Sequence, residues 1–544
     1  MLKTRRKLNS PELAIAATPA LPLKQRLAQR RKTERLRKEL LTFTIFAVLF
    51  STVVGFVLGL AFSPKVGVGA SVGVLCTTLS FKYPRQALWA FLIYMPFSGS
   101  VTYLLGNSPL LQLAKDGFYI PAVFGVIQYC RREQLPIFVP KQLVAPVGIL
   151  LVLCLATLLV VNGGQQFSAE PGDSPILVGI LGLKVLLGYV PLVVCAYYLL
   201  RDRTDLLHLM RLTVVIILVC CGLAFIQFLL LKTGRCAGTR YAEGAALFKA
   251  SLTARCFVGG AVLYTPELGQ IRLPGTFVAP WQWGWFLISS SFLAFATAFS
   301  DPKIRWRTAG LVSLASVFVM AVLSGQRIAL LLVPIVFVIL MLLTGQVVNF
   351  KRFIPGAVIL GLLLGVAALK NPDILQQRFE SLQSRWLASP PHMFIAEQFE
   401  WAMRDQDGFL GNGLGRATNA ARNMGETVLV EAYYPKLFYE VGLLGTLAFL
   451  VLVTMLTYLT FKAYRSVRDR NLRSYGAALW VFVLFISYNT YYYPLDVDPV
   501  AVYYWFFAGV ILKIPEIARV ERLESSEKGQ PQNPRRRLHR AGFG

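Results

Sequence analysis

Charged side chains are scarce in this sequence. They make up 15% of its 544 residues, where soluble domains carry about 25%, while 55% are apolar and the mean hydropathy is +0.56. That scarcity excludes a water-soluble fold. Polar linkers between the long apolar stretches are missing as well, so the length resolves into one membrane domain with charged tails. A cleavable leader is not indicated: the first apolar run begins near Leu41, extends for about 20 residues and has no small-residue cleavage site behind it, so it reads as a signal anchor. The eight cysteines lack metal-ligand spacing. Six of them (Cys76, Cys130, Cys154, Cys195, Cys220, Cys221) fall in or beside apolar runs, where Cys behaves as a small hydrophobe. No internal repeat of 20–50 residues is apparent, which weakens an inverted-repeat transporter architecture.

What the sequence has in excess is positive charge, +27 overall, placed in the tails and in short turns between apolar runs. That distribution points to membrane orientation and not to nucleic acid. Residues 1–39 hold twelve Lys and Arg against three Glu, a basic arm of +9 expected to stay cytoplasmic against anionic headgroups. About 20 apolar residues span the hydrocarbon core as a helix. Candidate spans lie near 41–62, 66–81, 86–105, 115–129, 143–162, 175–200, 211–231, 277–299, 308–323, 328–344, 354–369, 436–461, 476–490 and 501–514. The expected fold is an all-α integral membrane protein with about 12–14 transmembrane helices over 40–514, followed by a cytoplasmic tail over 515–544, with Glu516–Gly544 a frayed helix and disordered segment.

With the N-terminus inside, each turn predicted to be cytoplasmic (Lys82–Arg85, Arg131–Lys141, Arg201–Arg211, Asp301–Arg307, Gly345–Arg352, Phe461–Tyr475) carries at least two Lys or Arg. The short outward turns (63–65, 106–114, 162–174, 490–500) together carry only Lys65. The expected location is therefore an inner membrane, with both termini cytoplasmic and the working face outward. Two outward loops, about 232–276 and 370–435, are longer than a connection requires. In the first, Cys236 and Cys256 either close a disulfide in an oxidising compartment or remain two thiols. In the second, Ile374–Trp386 and Met393–Met403 are amphipathic. They either lie in the interface over a lipid-linked substrate or pack on the membrane domain.

Ionisable residues within or at the edge of a membrane are costly enough to be candidates for function. Lys115 and Asp116 either bind substrate or pair with each other, and Lys184 either acts or snorkels. Arg272 opens Arg272-Leu-Pro-Gly-Thr-Phe277, where Pro274 and Gly275 break the helix so that backbone N–H groups and the guanidinium can face one anion. Arg327, in Ser324-Gly-Gln-Arg327, sits at a helix start whose dipole is positive. The pair reads as a pyrophosphate clamp or as snorkelling arginines. Further on come Gly411-Asn-Gly-Leu-Gly415 and the segment Glu431-Ala-Tyr-Tyr-Pro-Lys-Leu-Phe-Tyr-Glu440-Val-Gly442-Leu-Leu-Gly445. The glycine triplet follows no strand and does not indicate a dinucleotide fold. Asp496 and Asp498 either cap the last span or bind a cation or sugar hydroxyls. Tyr433, Tyr434 and Tyr491–Tyr493 either stack on sugars or belong to the interfacial belt.

From Arg272 to Gly445 these pieces occur in an order that resembles the bacterial O-antigen ligase and O-antigen polymerase superfamily. In that family an Arg precedes a Pro/Gly-Thr-Phe turn, a Ser-x-Arg-type turn joins two spans, and a periplasmic loop with a glycine-rich stretch leads to Glu-x-Gly-Leu-Leu-Gly. The resemblance covers about 210–512 and is most specific at the last motif. It departs at one position: the family's loop histidine falls eleven residues ahead of Gly442, where this sequence has Glu431. His392 lies in the same loop but matches no motif position.

What the resemblance implies is a metal-independent, inverting glycosyltransferase without cofactor. An acceptor hydroxyl on a glycan or glycolipid would attack a saccharide carried on undecaprenyl pyrophosphate, held by Arg272 and Arg327. Glu431 would be the general base in place of the histidine, if desolvation raises its pKa; otherwise it complements a helix dipole. Lys436 and Glu440 fall in the matched segment as possible substrate-binding residues, with Glu440 more expected to orient the helix than to react. The competing expectations are a transporter of a glycan or of a small anion such as bicarbonate, which requires a charged path near the midplane, and a non-catalytic scaffold.

Overall fold

The computed structural model describes residues 23–106, 114–138, 140–242, 252–265, 270–346, isolated positions between 361 and 384, and 386–529 apart from 407 and 423. Helices dominate: this is an all-α integral membrane protein. Nine helices among the described residues are long and apolar enough to cross a membrane, or ten if one bent pair forms a single span. Most of the predicted span 354–369 and about half of the amphipathic stretch Ile374–Trp386 lie outside the described residues.

The chain divides into two compact units, one ending at Leu79 and the other starting at Ser80. In the first, α1 (Leu23–Ala61) and the greater part of α2 (Pro64–Lys82) form a hairpin. Backbones can approach closely there because the facing residues are small: a Cβ on Gly67 would stand 2.5 Å from the Gly55 carbonyl oxygen.

The second unit begins with α3 (Pro84–Tyr94) and α4 (Ser98–Leu104), then α5 (Asp116–Arg132). Helix α6 (Lys141–Ala156) runs through a π turn at Thr157–Asn162 into α7 (Gly163–Phe167). The predicted span 175–200 is realised as two pieces, α8 (Pro175–Leu187) and α9 (Leu192–Leu199), bent by 42°. Pro191 has no N–H to continue the helical ladder there. Helix α10 (Arg203–Lys232) is capped by the Asp202 carboxylate, which accepts the Asp205 N–H. After a short antiparallel hairpin of β1 (Leu263–Thr265) and β2 (Gln270–Arg272) come α11 (Pro280–Ser300), α12 (Ile304–Leu323) and α13 (Arg327–Leu343). Helices α14 (Pro391–Arg404), α15 (Tyr433–Arg465), α16 (Arg470–Tyr488) and α17 (Val500–Gly529) complete the unit. The predicted tail is corrected in part. Ile514, Ile517 and Ala518 are buried, so α17 continues past Pro515 to Gly529 instead of fraying at 516.

Helix α11 is the hub. It packs against α10, α12, α13 and α16 and is buried along almost its whole length. Pro280 suits its first turn, and Gln282 Oε1 accepts the Ala279 N–H at 3.2 Å. Where α11 ends, the fully buried Asp301 receives both Nε and Nη2 of Arg211 at 2.8 and 2.9 Å. A carboxylate at that depth is tolerable only with such a bidentate partner. Arg203 reaches Asp469 and Glu521 at 3.5 and 3.4 Å, and Arg85 bonds Asp205 at 2.7 Å. These pairs place the turns around 85, 201–205, 301 and 469, with the α17 segment at 521, at one end of the bundle. The turns around 115, 272, 327, 431 and 496 belong to the other.

Candidate functional site

The site end is organised by the first turns of α11 and α15. Ahead of α11, Gly275 holds φ +57°, and a Cβ there would strike the Trp283 ring at 2.4 Å. The Leu273 N–H donates to the Ser324 carbonyl at 2.9 Å, so the chain carrying Arg272 is tied to the turn carrying Arg327. Arg272 ends β2 half-buried. Its side chain makes no hydrogen bond or ion pair among the described residues. Arg327 is half-buried in the first turn of α13, behind Gln326. Two buried donors beside this turn, Trp283 Nε1 and Gln326 Nε2, have no hydrogen-bond partner among the described residues. Gly284, next to Trp283, packs on the Gln326 side chain.

Glu431 reaches the same region through the 490–493 turn. Ala432 bridges Tyr491, the Tyr433 N–H donates to the Thr490 carbonyl at 2.7 Å, and Trp285 Nε1 of α11 donates to the Tyr492 carbonyl at 3.1 Å. Glu431 is half-buried, and its N–H donates to Gln398 Oε1 of α14 at 2.9 Å. Burial, then the carboxylates of Glu431 and Asp496, push the Tyr493 phenol upward, so these groups share one electrostatic neighbourhood. His392 is exposed at the start of α14.

Lys436 and Glu440 are only 2% and 1% exposed, one turn apart on α15. Lys436 pairs with Asp496 and lies 3.8 Å from Glu440, which accepts the Ala417 N–H and the Thr418 hydroxyl at 2.9 Å each. These three charges are pegs that hold the glycine-rich segment and the 494–498 turn onto α15. Tyr433 and Tyr434 are likewise buried, packed edge-on against Phe449, and the Tyr434 hydroxyl bonds the Ser487 carbonyl. The half-buried rings of Tyr491 and Tyr492 face Phe394 instead.

The glycine triplet is a strap. Gly411, Gly413 and Gly415 hold φ of +74°, +111° and +79°, and Gly442 at +69° breaks α15 to receive it, with the Phe409 oxygen 2.1 Å from where a Cβ would be. Its amides are already used: Asn412 N–H to the Tyr439 carbonyl at 2.8 Å and Leu414 N–H to Asn162 Oδ1 at 2.9 Å. The strap ends at Arg416, which grips Asp173 through both Nη atoms at 3.0 and 2.9 Å and Gln165 through Nε at 3.0 Å. Those hydrogen bonds hold the Asp173 carboxyl below the usual range against the opposing effect of burial. Nothing in the sequence singled out Arg416 or Asp173; the pairing of an acid in one outward turn with a base 243 positions away has no local signal.

Of the two readings of Lys115 and Asp116, substrate binding or a pair with each other, the mutual pair is not formed. Lys115 pairs with Asp498, and Asp116 with Lys184 at 2.9 Å, which also corrects the reading of Lys184 as a snorkelling side chain. Adjacent residues at the start of a helix diverge by about 100°, so each finds a different neighbour. Burial alone would raise Asp498, but Lys115 and Lys184 outweigh it and the carboxyl is lowered. Cys236 and Cys256 form a disulfide that closes the loop behind α10, where the buried Gln227 Nε2 donates to the Cys256 carbonyl at 2.8 Å.

No family model matches the chain. No curated protein matches it either.

Proposed function

We propose that the protein is a membrane glycan ligase or polymerase, transferring a saccharide from a polyprenyl-pyrophosphate-linked donor to an acceptor hydroxyl. The observation that carries this reading is Arg272. Lys115, Lys184, Lys436 and Arg416 at the same end each hold a carboxylate, whereas Arg272 has none among the described residues and is tied through Leu273 to the turn of Arg327. The buried donors Trp283 Nε1 and Gln326 Nε2 beside them suit an anionic oxygen ligand. In this reading the arginines bind the pyrophosphate. Glu431 takes the proton of the attacking hydroxyl as its oxygen bonds the anomeric carbon. The bond from that carbon to the pyrophosphate oxygen breaks on the opposite face, and the lipid pyrophosphate leaves, inverting the configuration at that carbon.

The disulfide, which needs an oxidising compartment, and the basic turns at the opposite end both support a periplasmic site with cytoplasmic termini. Transport is supported less: α11 carries no ionisable residue between Pro280 and Ser300, and the buried hydroxyls of Ser289 and Ser290, without a hydrogen-bond partner among the described residues, are weak markers of a polar path. Replacing Arg272 or Arg327 with Ala in cells tests the reading. The mature polysaccharide should be lost while the protein stays in the membrane, and unchanged glycan would refute it.

A further inference from the structure

At the end of the bundle opposite the candidate site, a cavity of about 630 Å³ opens between three basic turns that are far apart in sequence. It is lined by Lys82–Gln86, by Leu135–Phe138 and by Tyr197–Arg201, with Lys513 and Glu516 of α17 closing one side. Four basic side chains (Lys82, Arg85, Arg201, Lys513) stand against one acidic one, Glu516.

The basic groups are positioned in different ways. Arg85 is fixed by Nε on the Leu199 carbonyl at 3.4 Å and by Nη2 on both Asp205 oxygens at 2.7 Å, which leaves its Nη1 without a hydrogen bond among the described residues. Lys513 Nζ sits 4.2 Å from the centroid of the Tyr197 ring and 2.9 Å from Glu516. Arg201 is exposed at the rim, and its side chain makes no ion pair or hydrogen bond among the described residues. The walls are apolar and aromatic: Phe138 stacks on Tyr197 at 3.8 Å, and Leu88, Val126 and Ile137 complete them.

A soluble anion gains little from such walls, whereas an amphiphile uses both the charge and the apolar surface. Basic pockets between helices at the basic face of a membrane protein are suited to lipid headgroups. We propose that this cavity binds the phosphate headgroup of an anionic phospholipid, with Arg201 and Arg85 on the phosphate and the start of the acyl chains against Leu88, Val126 and Ile137. The site is independent of the glycan chemistry and stands or falls without it.

The test uses the full-length protein in nanodiscs of mixed phosphatidylglycerol and phosphatidylcholine, with retained lipid counted by native mass spectrometry. The wild type should retain phosphatidylglycerol in preference to phosphatidylcholine. Arg201→Gln should reduce that preference about fivefold, the effect of one basic residue at an anionic surface, and Arg201→Lys should preserve it. Excess inorganic phosphate should leave the lipid in place. Equal retention of the two lipids by the wild type, an unchanged preference in Arg201→Gln, or displacement of the lipid by inorganic phosphate would each overturn the proposal.

Discussion

Substituting Asp173 with Asn probes how the strap is held to the membrane domain. Arg416 is 12% exposed and its Nη atoms are shared between Asp173 and the Glu426 carbonyl, with Nε on Gln165. Asn keeps the shape but removes the charge and one of the two strong acceptors. Charge-assisted hydrogen bonds contribute about 1.5–3 kcal/mol, and a cation left without its buried partner costs about 3–5 kcal/mol. Because Gln165 and the Glu426 carbonyl remain, the lower figure applies, about 2 kcal/mol, or roughly a 30-fold rise in local opening. Hydrogen exchange reads this directly at the Thr418 and Val428 amides, which bond the Gly415 and Arg416 carbonyls at 3.0 and 2.7 Å. The double variant Asp173→Asn with Arg416→Met should open by less than the sum of the two single effects.

The sign of the pH dependence follows from the lowered carboxyl. Its stabilisation is present above the unfolded value of about 4 and is lost as pH falls through the folded value below it. Protection in the wild type should therefore be flat from about pH 8 to 5 and decline below about 4, and the Asn variant should lack that decline. Exchange at Thr418 and Val428 that changes less than about twofold in Asp173→Asn, against the 30-fold expected, would refute the role given to the pair.

Three further outcomes are expected. Replacing both Cys236 and Cys256 with Ser should destabilise the loop behind α10 by about 3 kcal/mol, the chain-entropy value for a separation of 20 residues, measured as faster proteolysis between 236 and 256. Gly442→Ala should cost more than about 2 kcal/mol, since its φ of +69° and the Phe409 oxygen at 2.1 Å both exclude a methyl group; thermal unfolding in detergent would detect it. Lys115→Met should lower stability by about 3–5 kcal/mol by leaving Asp498 without its partner, and the pair Lys115→Met with Asp498→Asn should recover most of the loss.

Much of the architecture was legible because apolar length and basic turns are local properties. The stretch 277–299 corresponds to α11, 211–231 lies within α10, and Met393–Met403 lies within α14. The bend at 188–191 was not foreseen, although Pro191 marks it. What the sequence concealed depends on long-range neighbours. Lys115 meets a carboxylate 383 positions away and Lys436 one 60 positions away, and no pattern of spacing announces such partners. The role of the glycine triplet was not legible either: its positive φ values serve the close approach of its own backbone to α15 and α8. At the candidate site the segment of Arg272 lies beside the turn of Arg327. Whether Lys436 and Glu440 were open to a ligand depended on burial by the strap and the 494–498 turn, which motif spacing does not encode.

The most direct measurement is reconstitution of the purified protein with a polyprenyl-pyrophosphate-linked saccharide and a glycan acceptor, following release of the lipid pyrophosphate and formation of the linked product. The wild type should release one lipid pyrophosphate for each new glycosidic bond, Arg272→Ala should bind donor more weakly, and Glu431→Gln should bind donor normally but transfer at least about 100-fold more slowly, as removal of a general base requires. Transfer by Glu431→Gln at the wild-type rate, or a wild type that neither binds the donor nor releases lipid pyrophosphate, would contradict the account.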